Sequence, residues 1–232
     1  MNTGDSIKAG LGQWSFSNGV DEKFDEHVRK SVPGYDLFHE ISVLLSDPFV
    51  LKNSTVLDIG SSTGTFTRLL YERHKSKNPK IIGCDIEPSM VSHAQRMNED
   101  IDYRLIDVIK DDLPEDLNLI TSFFTIQFIP TAFRQQLIQK IYNSLSWGGA
   151  FLLFEKVRAP DARFQDYINH AFTNYKLNNF KAEEVIGKSN SLIGIMEPFS
   201  TQGNIDMLKR AGFVDICSVC KLLCFEGFLA IK

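Results

Sequence analysis

The sequence predicts an α/β fold: a mostly parallel seven-stranded sheet closed by a C-terminal antiparallel hairpin. Three observations predict it. From residue 54 onward, short apolar runs ended by Asp or Gly alternate with amphipathic stretches. A glycine-containing turn joins the first run to the stretch after it. The tail closes on two further apolar runs with no helical stretch between them. Such alternation implies parallel strands joined by right-handed crossovers.

The 232 residues suit one enlarged domain, and 43% hydrophobic content supplies one sizeable core. Twenty-five basic against 29 acidic residues give a formal charge of −4, so no global field favours a polyanion. The apolar runs are strand-sized, and the amino terminus lacks an apolar stretch behind a basic start, so a cytoplasmic location and no membrane span are expected.

Residues 1–53 carry no strong strand signal. Residues 20–30 and 35–51 show helical spacing around the Pro33-Gly34 break, which predicts an N-terminal helical cap over 1–53. Residues 54–232 then form the ligand-binding unit. Its strands are expected at 55–59, 80–86, 103–108, 117–126 and 150–156. Residues 161–180 and 182–195 read as helices of an insert over 160–200, ahead of a helix at 202–211. Strands at 214–224 and 227–231 around Glu226-Gly227 give the closing hairpin.

The most informative segment is Val56-Leu57-Asp58-Ile59-Gly60-Ser61-Ser62-Thr63-Gly64, a strand running into a turn and then a helix. Gly60 and Gly64 let backbone approach a ligand where a Cβ would collide with it, and the helix that follows offers unpaired N–H groups. With Ser at 62 the loop departs from the dinucleotide fingerprint and matches the D-x-G-x-x-x-G pattern of methyltransferases, whose strand-end acid serves a methionine amino group. Ser61 and Ser62 are candidate contacts in the same loop. Twenty-seven residues after Asp58, Asp85-Ile86 ends the second run, where a carboxylate can accept both hydroxyls of a ribose diol. Asp107-Val108 ends the third, suited to an adenine amino group and ring. Each acid alone is as readily a helix cap; the three in order fit S-adenosylmethionine bound by a Rossmann-like class I methyltransferase fold.

The chain also resembles the carboxy-S-adenosylmethionine synthase family along nearly its whole length. The resemblance rests on the segment from Leu11 to Phe16 (LGQWSF), on Arg29 to Tyr35 (RKSVPGY), on Phe124 to Phe128 (FTIQF), on Lys140-Ile141-Tyr142 and on Glu155-Lys156. It implies an enzyme that makes carboxy-S-adenosylmethionine from S-adenosylmethionine and prephenate in tRNA wobble-uridine modification, a homodimer, and Tyr35 as a cofactor contact. The chain departs from that family twice. Phe123 stands where the family has a ligand-contacting Asn, and Ser189 stands where a gapless alignment puts an arginine that holds the extra carboxylate, with Lys188 beside it.

Other candidates carry less. Cys84, Cys217, Cys220 and Cys224 read as buried reduced thiols, since the spacing from Cys217 to Cys220 sends their side chains to opposite strand faces and disfavours a metal site. His27, His39, His74, His93 and His170 are scattered and read as solvent or helix-surface residues. Glu155-Lys156 orients substrate or forms a local salt bridge. The sequence assigns no catalytic residue, no metal and no direct nucleic-acid partner. It predicts an S-adenosylmethionine-dependent transferase, most simply a methyltransferase on a small unidentified acceptor. Carboxy-S-adenosylmethionine synthesis and non-catalytic cofactor binding are the alternatives.

Overall fold

The computed structural model describes residues 1–17 and 19–232. A seven-stranded sheet in the order β3-β2-β1-β4-β5-β7-β6 organises the chain. Its strands are β1 (Thr55–Ile59), β2 (Lys80–Asp85), β3 (Asp102–Leu105), β4 (Leu117–Phe123), β5 (Leu145–Lys156), β6 (Asp215–Leu222) and β7 (Phe225–Ile231). The first five are parallel; β7 runs antiparallel between β5 and β6. The order reverses beside β1, so a crevice opens at the carboxyl ends of β1 and β4, the usual ligand position in such sheets.

Helices α1 (Phe24–Ser31), α2 (Tyr35–Leu45), α3 (Thr65–His74), α4 (Pro88–Met97), α5 (Thr131–Ser144), α6 (Ala162–Leu177), α7 (Ala182–Ser191) and α8 (Thr201–Ala211) surround the sheet. Phe38 of α2 and Phe66 and Leu70 of α3 pack with Val56 and Leu119 on one face. Leu137, Ile138 and Ile141 of α5 and Met207 and Leu208 of α8 pack with Leu57, Ile120 and Phe151 on the other. Central strands therefore read as unbroken apolar runs, because both their faces are covered. Among the described residues no helix is long and apolar enough to cross a membrane.

Several boundaries differ from the sequence expectation, each for a local reason. The second N-terminal helix stops at Leu45, because the Ser46 hydroxyl turns back to the Val43 carbonyl at 2.6 Å and Asp47 precedes a proline. The third strand ends at Leu105, leaving Asp107 and Val108 in a turn. Asp107 Oδ1 accepts the Ile109 N–H at 3.1 Å and Oδ2 pairs with Lys110 at 2.8 Å. The fourth strand ends at Phe123, since Phe124 adopts φ 55°. The hairpin turns at Leu223-Cys224, with Leu222 paired to Phe225, whereas Glu226-Gly227 lies inside β7. Gly227 is there because a Cβ would strike the Phe154 ring on β5. Nor are all four thiols buried: β6 is an edge strand and leaves Cys217 exposed and Cys220 half-buried.

Candidate functional site

The crevice is a cavity of about 860 Å³, toward the upper end of the range of small-molecule sites. Ten of the eleven residues picked out in the sequence line it: Tyr35, Asp58, Gly60, Ser61, Ser62, Asp85, Ile86, Asp107, Val108 and Phe123. Gly64 lies behind the wall as the left-handed N-cap of α3, at φ 80°.

The loop between β1 and α3 is held by hydrogen bonds to the neighbouring strand. Gly60 and Ser61 N–H both donate to the Cys84 carbonyl, at 2.8 and 2.9 Å. Ser62 N–H donates to Asp85 Oδ2 at 3.0 Å, and the Glu87 N–H donates to Asp85 Oδ1 at 2.9 Å. Asp85 thus clamps the loop to the start of α4, and burial raises its pKa above the ordinary carboxylate value. The clamp holds Ser62 at φ 51°, a conformation a non-glycine residue adopts at a cost.

The glycines serve the protein's own packing. A Cβ on Gly60 would meet Thr125 and one on Gly64 would meet the Tyr103 hydroxyl, so each gives room to a neighbouring side chain, where ligand approach was expected. Asp58 is buried with Oδ2 accepting from Thr67 at 2.6 Å and Oδ1 from Thr121 at 2.8 Å, and burial pushes its pKa up to about 6. Each oxygen keeps a further lone pair. Ser61 Oγ, also buried on this wall, has no hydrogen-bond partner among the described residues.

An aromatic group floors the cavity below the loop. Phe123 stacks on Phe154 at 4.7 Å and lies 4.2 Å from Phe66, so it extends the apolar core. Tyr35 and His39, four residues apart on one face of α2, contact each other at 4.3 Å, and burial raises the Tyr35 pKa.

Three histidines depart from the sequence reading, because His27, His39 and His74 are buried. His27 bonds Asp5 at 2.8 Å and His74 bonds Ser46 at 2.7 Å. Neither ring nitrogen of His39 has a partner among the described residues, and burial lowers its pKa to about 4. His27 and His39 line the cavity; the Tyr35-to-His39 spacing was the available signal for the second.

The opposite side is basic. Lys156 at the end of β5, Lys176 on α6 and Lys188 on α7 all line the cavity, with Ser189 exposed beside Lys188. Glu155 and Lys156 do not pair, since adjacent strand residues face opposite ways. Glu155 instead accepts the Ile126 N–H at 3.0 Å, and burial pushes it up to about 8. Trp14 closes this side, its backbone N–H donating to the Ser191 carbonyl at 3.0 Å and its ring lying under the Lys188 ammonium.

Comparison with known proteins agrees with this geometry. Residues 56–149 match the family model described as a methyltransferase domain. The chain is 37% identical over 226 residues to a carboxy-S-adenosyl-L-methionine synthase of Staphylococcus epidermidis, covering 95% of this chain and 97% of the relative. It is 31% identical to a protein of the same name from Nautilia profundicola, covering 95% of each. Human N-acetylserotonin methyltransferase, solved in complex with SAM, superposes with TM-score 0.65 at 19% identity, over 93% of this chain and 56% of that one, which supports the fold.

Proposed function

This chain belongs to the carboxy-S-adenosyl-L-methionine synthase family, and from that premise we propose that it is an S-adenosylmethionine-dependent transferase producing the carboxylated cofactor. The observation that carries the reading is the placement of ten predicted contacts around one cavity at the carboxyl ends of β1, β2 and β4. The residues fit the cofactor: Ser61 Oγ is a buried polar atom awaiting a partner, Asp58 and Asp85 keep acceptor capacity, and Ile86 and Val108 offer apolar surface to a base.

In this reading Asp58 faces the methionine amino group, Asp85 the ribose hydroxyls, and Asp107 with Val108 the adenine; Tyr35 and Phe123 close the floor. When bound, S-adenosylmethionine supplies an activated sulfonium carbon. The protein's part is to align the reacting groups and exclude water, which the aromatic floor and Trp14 favour. Lys188, beside Ser189, supplies a cation near the position of the family's arginine.

Ser189 favours a second reading, plain methyl transfer, because its hydroxyl cannot reproduce a guanidinium fork. Mass spectrometry of ligand carried through purification separates the two. Carboxylated cofactor supports the synthase; S-adenosylmethionine or its demethylated product alone supports the methyltransferase. The family resemblance further supports a cytoplasmic homodimer serving tRNA wobble-uridine modification, which light scattering and analysis of modified nucleosides test.

A further inference from the structure

Lys140, half-buried on α5, gives its ammonium to backbone alone. Nζ donates to the carbonyls of Val108, Ile109 and Asp111, at 3.0, 3.2 and 2.8 Å. An ammonium has three N–H bonds, so every donor is used. Among the described residues no carboxylate pairs with Lys140, whereas Lys30, Lys75, Lys110 and Lys221 each pair with one. Three carbonyl oxygens that converge on one point repel one another unless a cation sits between them. The turn after β3 is therefore held in place from α5.

What this turn presents to the cavity follows from its other hydrogen bonds. The Asp107 N–H donates to Asp111 Oδ2 at 2.8 Å and the Ile109 N–H to Asp107 Oδ1 at 3.1 Å. The N–H groups of Lys110 and Asp111 both donate to the Asp107 carbonyl, at 3.0 and 2.8 Å. Within residues 107–111 only the Val108 N–H has no acceptor among the described residues. Across a trans peptide the carbonyl and the N–H point opposite ways. The Asp107 carbonyl is turned inward to Lys110 and Asp111, so the Val108 N–H is turned outward, and Val108 lines the cavity. Lys140 holds the carbonyl of the very next peptide and does not itself line the cavity. Without the ammonium, the three carbonyls would turn to water, and the free N–H would move with them.

We infer that Lys140 is the positioning residue for the adenine end of the site, holding the 107–111 turn so that the Val108 N–H meets a ring nitrogen beside the 6-amino group, N1 or N7. The inference rests on the S-adenosylmethionine reading and adds to it a residue that touches no ligand. Each Asp107 carboxylate oxygen keeps a lone pair for the amino group. Two adjacent residues thus offer an acceptor and a donor side by side, the complement of adenine's own donor and acceptor.

The test is calorimetric titration of ligand-free protein with S-adenosylhomocysteine and with its 1-deaza and 7-deaza analogues, in which a C–H replaces one ring nitrogen. Wild type should bind at least one analogue about tenfold more weakly than S-adenosylhomocysteine, since a buried N–H is left unmatched, and the arm that loses affinity identifies the nitrogen. Lys140→Met should bind S-adenosylhomocysteine about tenfold more weakly than wild type and no longer distinguish it from that analogue. A residue that only supported the fold would weaken all three ligands by one factor, so a Lys140→Met protein that keeps the wild-type ratio overturns the inference. Wild type that binds all three alike, or Lys140→Met with unchanged affinity for S-adenosylhomocysteine, overturns it too. If Lys140→Met does not fold, Lys140→Gln, whose amide can still donate to a carbonyl, carries the same comparison: its ratio should fall below that of wild type, and an unchanged ratio counts against Lys140. Failure of wild type to bind S-adenosylhomocysteine overturns the S-adenosylmethionine reading instead, and that titration is run first.

Discussion

The Asp85 carboxylate accepts the Ser62 N–H at 3.0 Å and so holds a non-glycine residue at φ 51° in the middle of the loop between β1 and α3. The side chain proposed to face the ribose diol therefore also fixes the loop beside it.

Asp85→Ala should lower S-adenosylmethionine affinity by about 1.5–3 kcal/mol, the scale of charge-assisted hydrogen bonds lost. Because the loop clamp goes as well, thermal stability should drop in the unliganded protein. Calorimetry that finds unchanged affinity removes Asp85 from the site.

Gly60→Ala should destabilise before it affects binding, by roughly 1–2 kcal/mol for the left-handed backbone alone, with the clash against Thr125 added. Thr125→Gly in the same chain should recover the clash contribution, since the Thr125 Cβ itself stands in the way. A double-mutant cycle in urea measures it, and strict additivity would show that the two side-chain positions do not meet.

His39 makes stability depend on pH. Its folded pKa, about 4, lies below the ordinary value near 6.5, so the neutral ring's contribution is present above 6.5 and lost as the pH falls toward 4. Relative to His39→Leu, wild type should lose roughly 2–3 kcal/mol across that window. His27 shifts in the same direction, with burial outweighing the opposing pull of Asp5. Denaturant midpoints that run parallel for wild type and His39→Leu between pH 7 and 4 would rule out the neutral buried ring.

Ser189→Arg should move ligand preference toward carboxy-S-adenosylmethionine by about tenfold to a hundredfold, the value of a charge-assisted bidentate pair. Dissociation constants for both cofactors, measured for both proteins, decide it. A wild type that already prefers the carboxylated form tenfold would show another cation, with Lys188 the first suspect, in the arginine's role.

The sheet was legible because its central strands are buried on both faces and so carry unbroken apolar runs, as in Val56 to Ile59. The strand-end acids were legible for a related reason: a charged residue closing such a run has a topologically fixed place. Asp107 misled in its strand assignment, because its carboxylate organises a turn with Ile109 and Lys110. Gly227 looked like a turn residue and is a packing residue, and that distinction depends on Phe154, distant in sequence. The lysine cluster was hidden for the same reason, since Lys156, Lys176 and Lys188 come from three separate elements and meet only once the insert folds over β5. Histidine burial likewise depends on tertiary neighbours, although the spacing of Tyr35 and His39 placed them on one helix face.

β7 lies between β5 and β6 yet follows both in chain order. As the polypeptide leaves the ribosome, β5 has β4 on one side and an open edge on the other until residues 225–231 emerge. The longest strand of the sheet therefore remains an unpaired template while residues 157–224 are made. Nascent chains arrested before residue 225 should be those that depend most on chaperones, and release of that dependence should coincide with the emergence of β7.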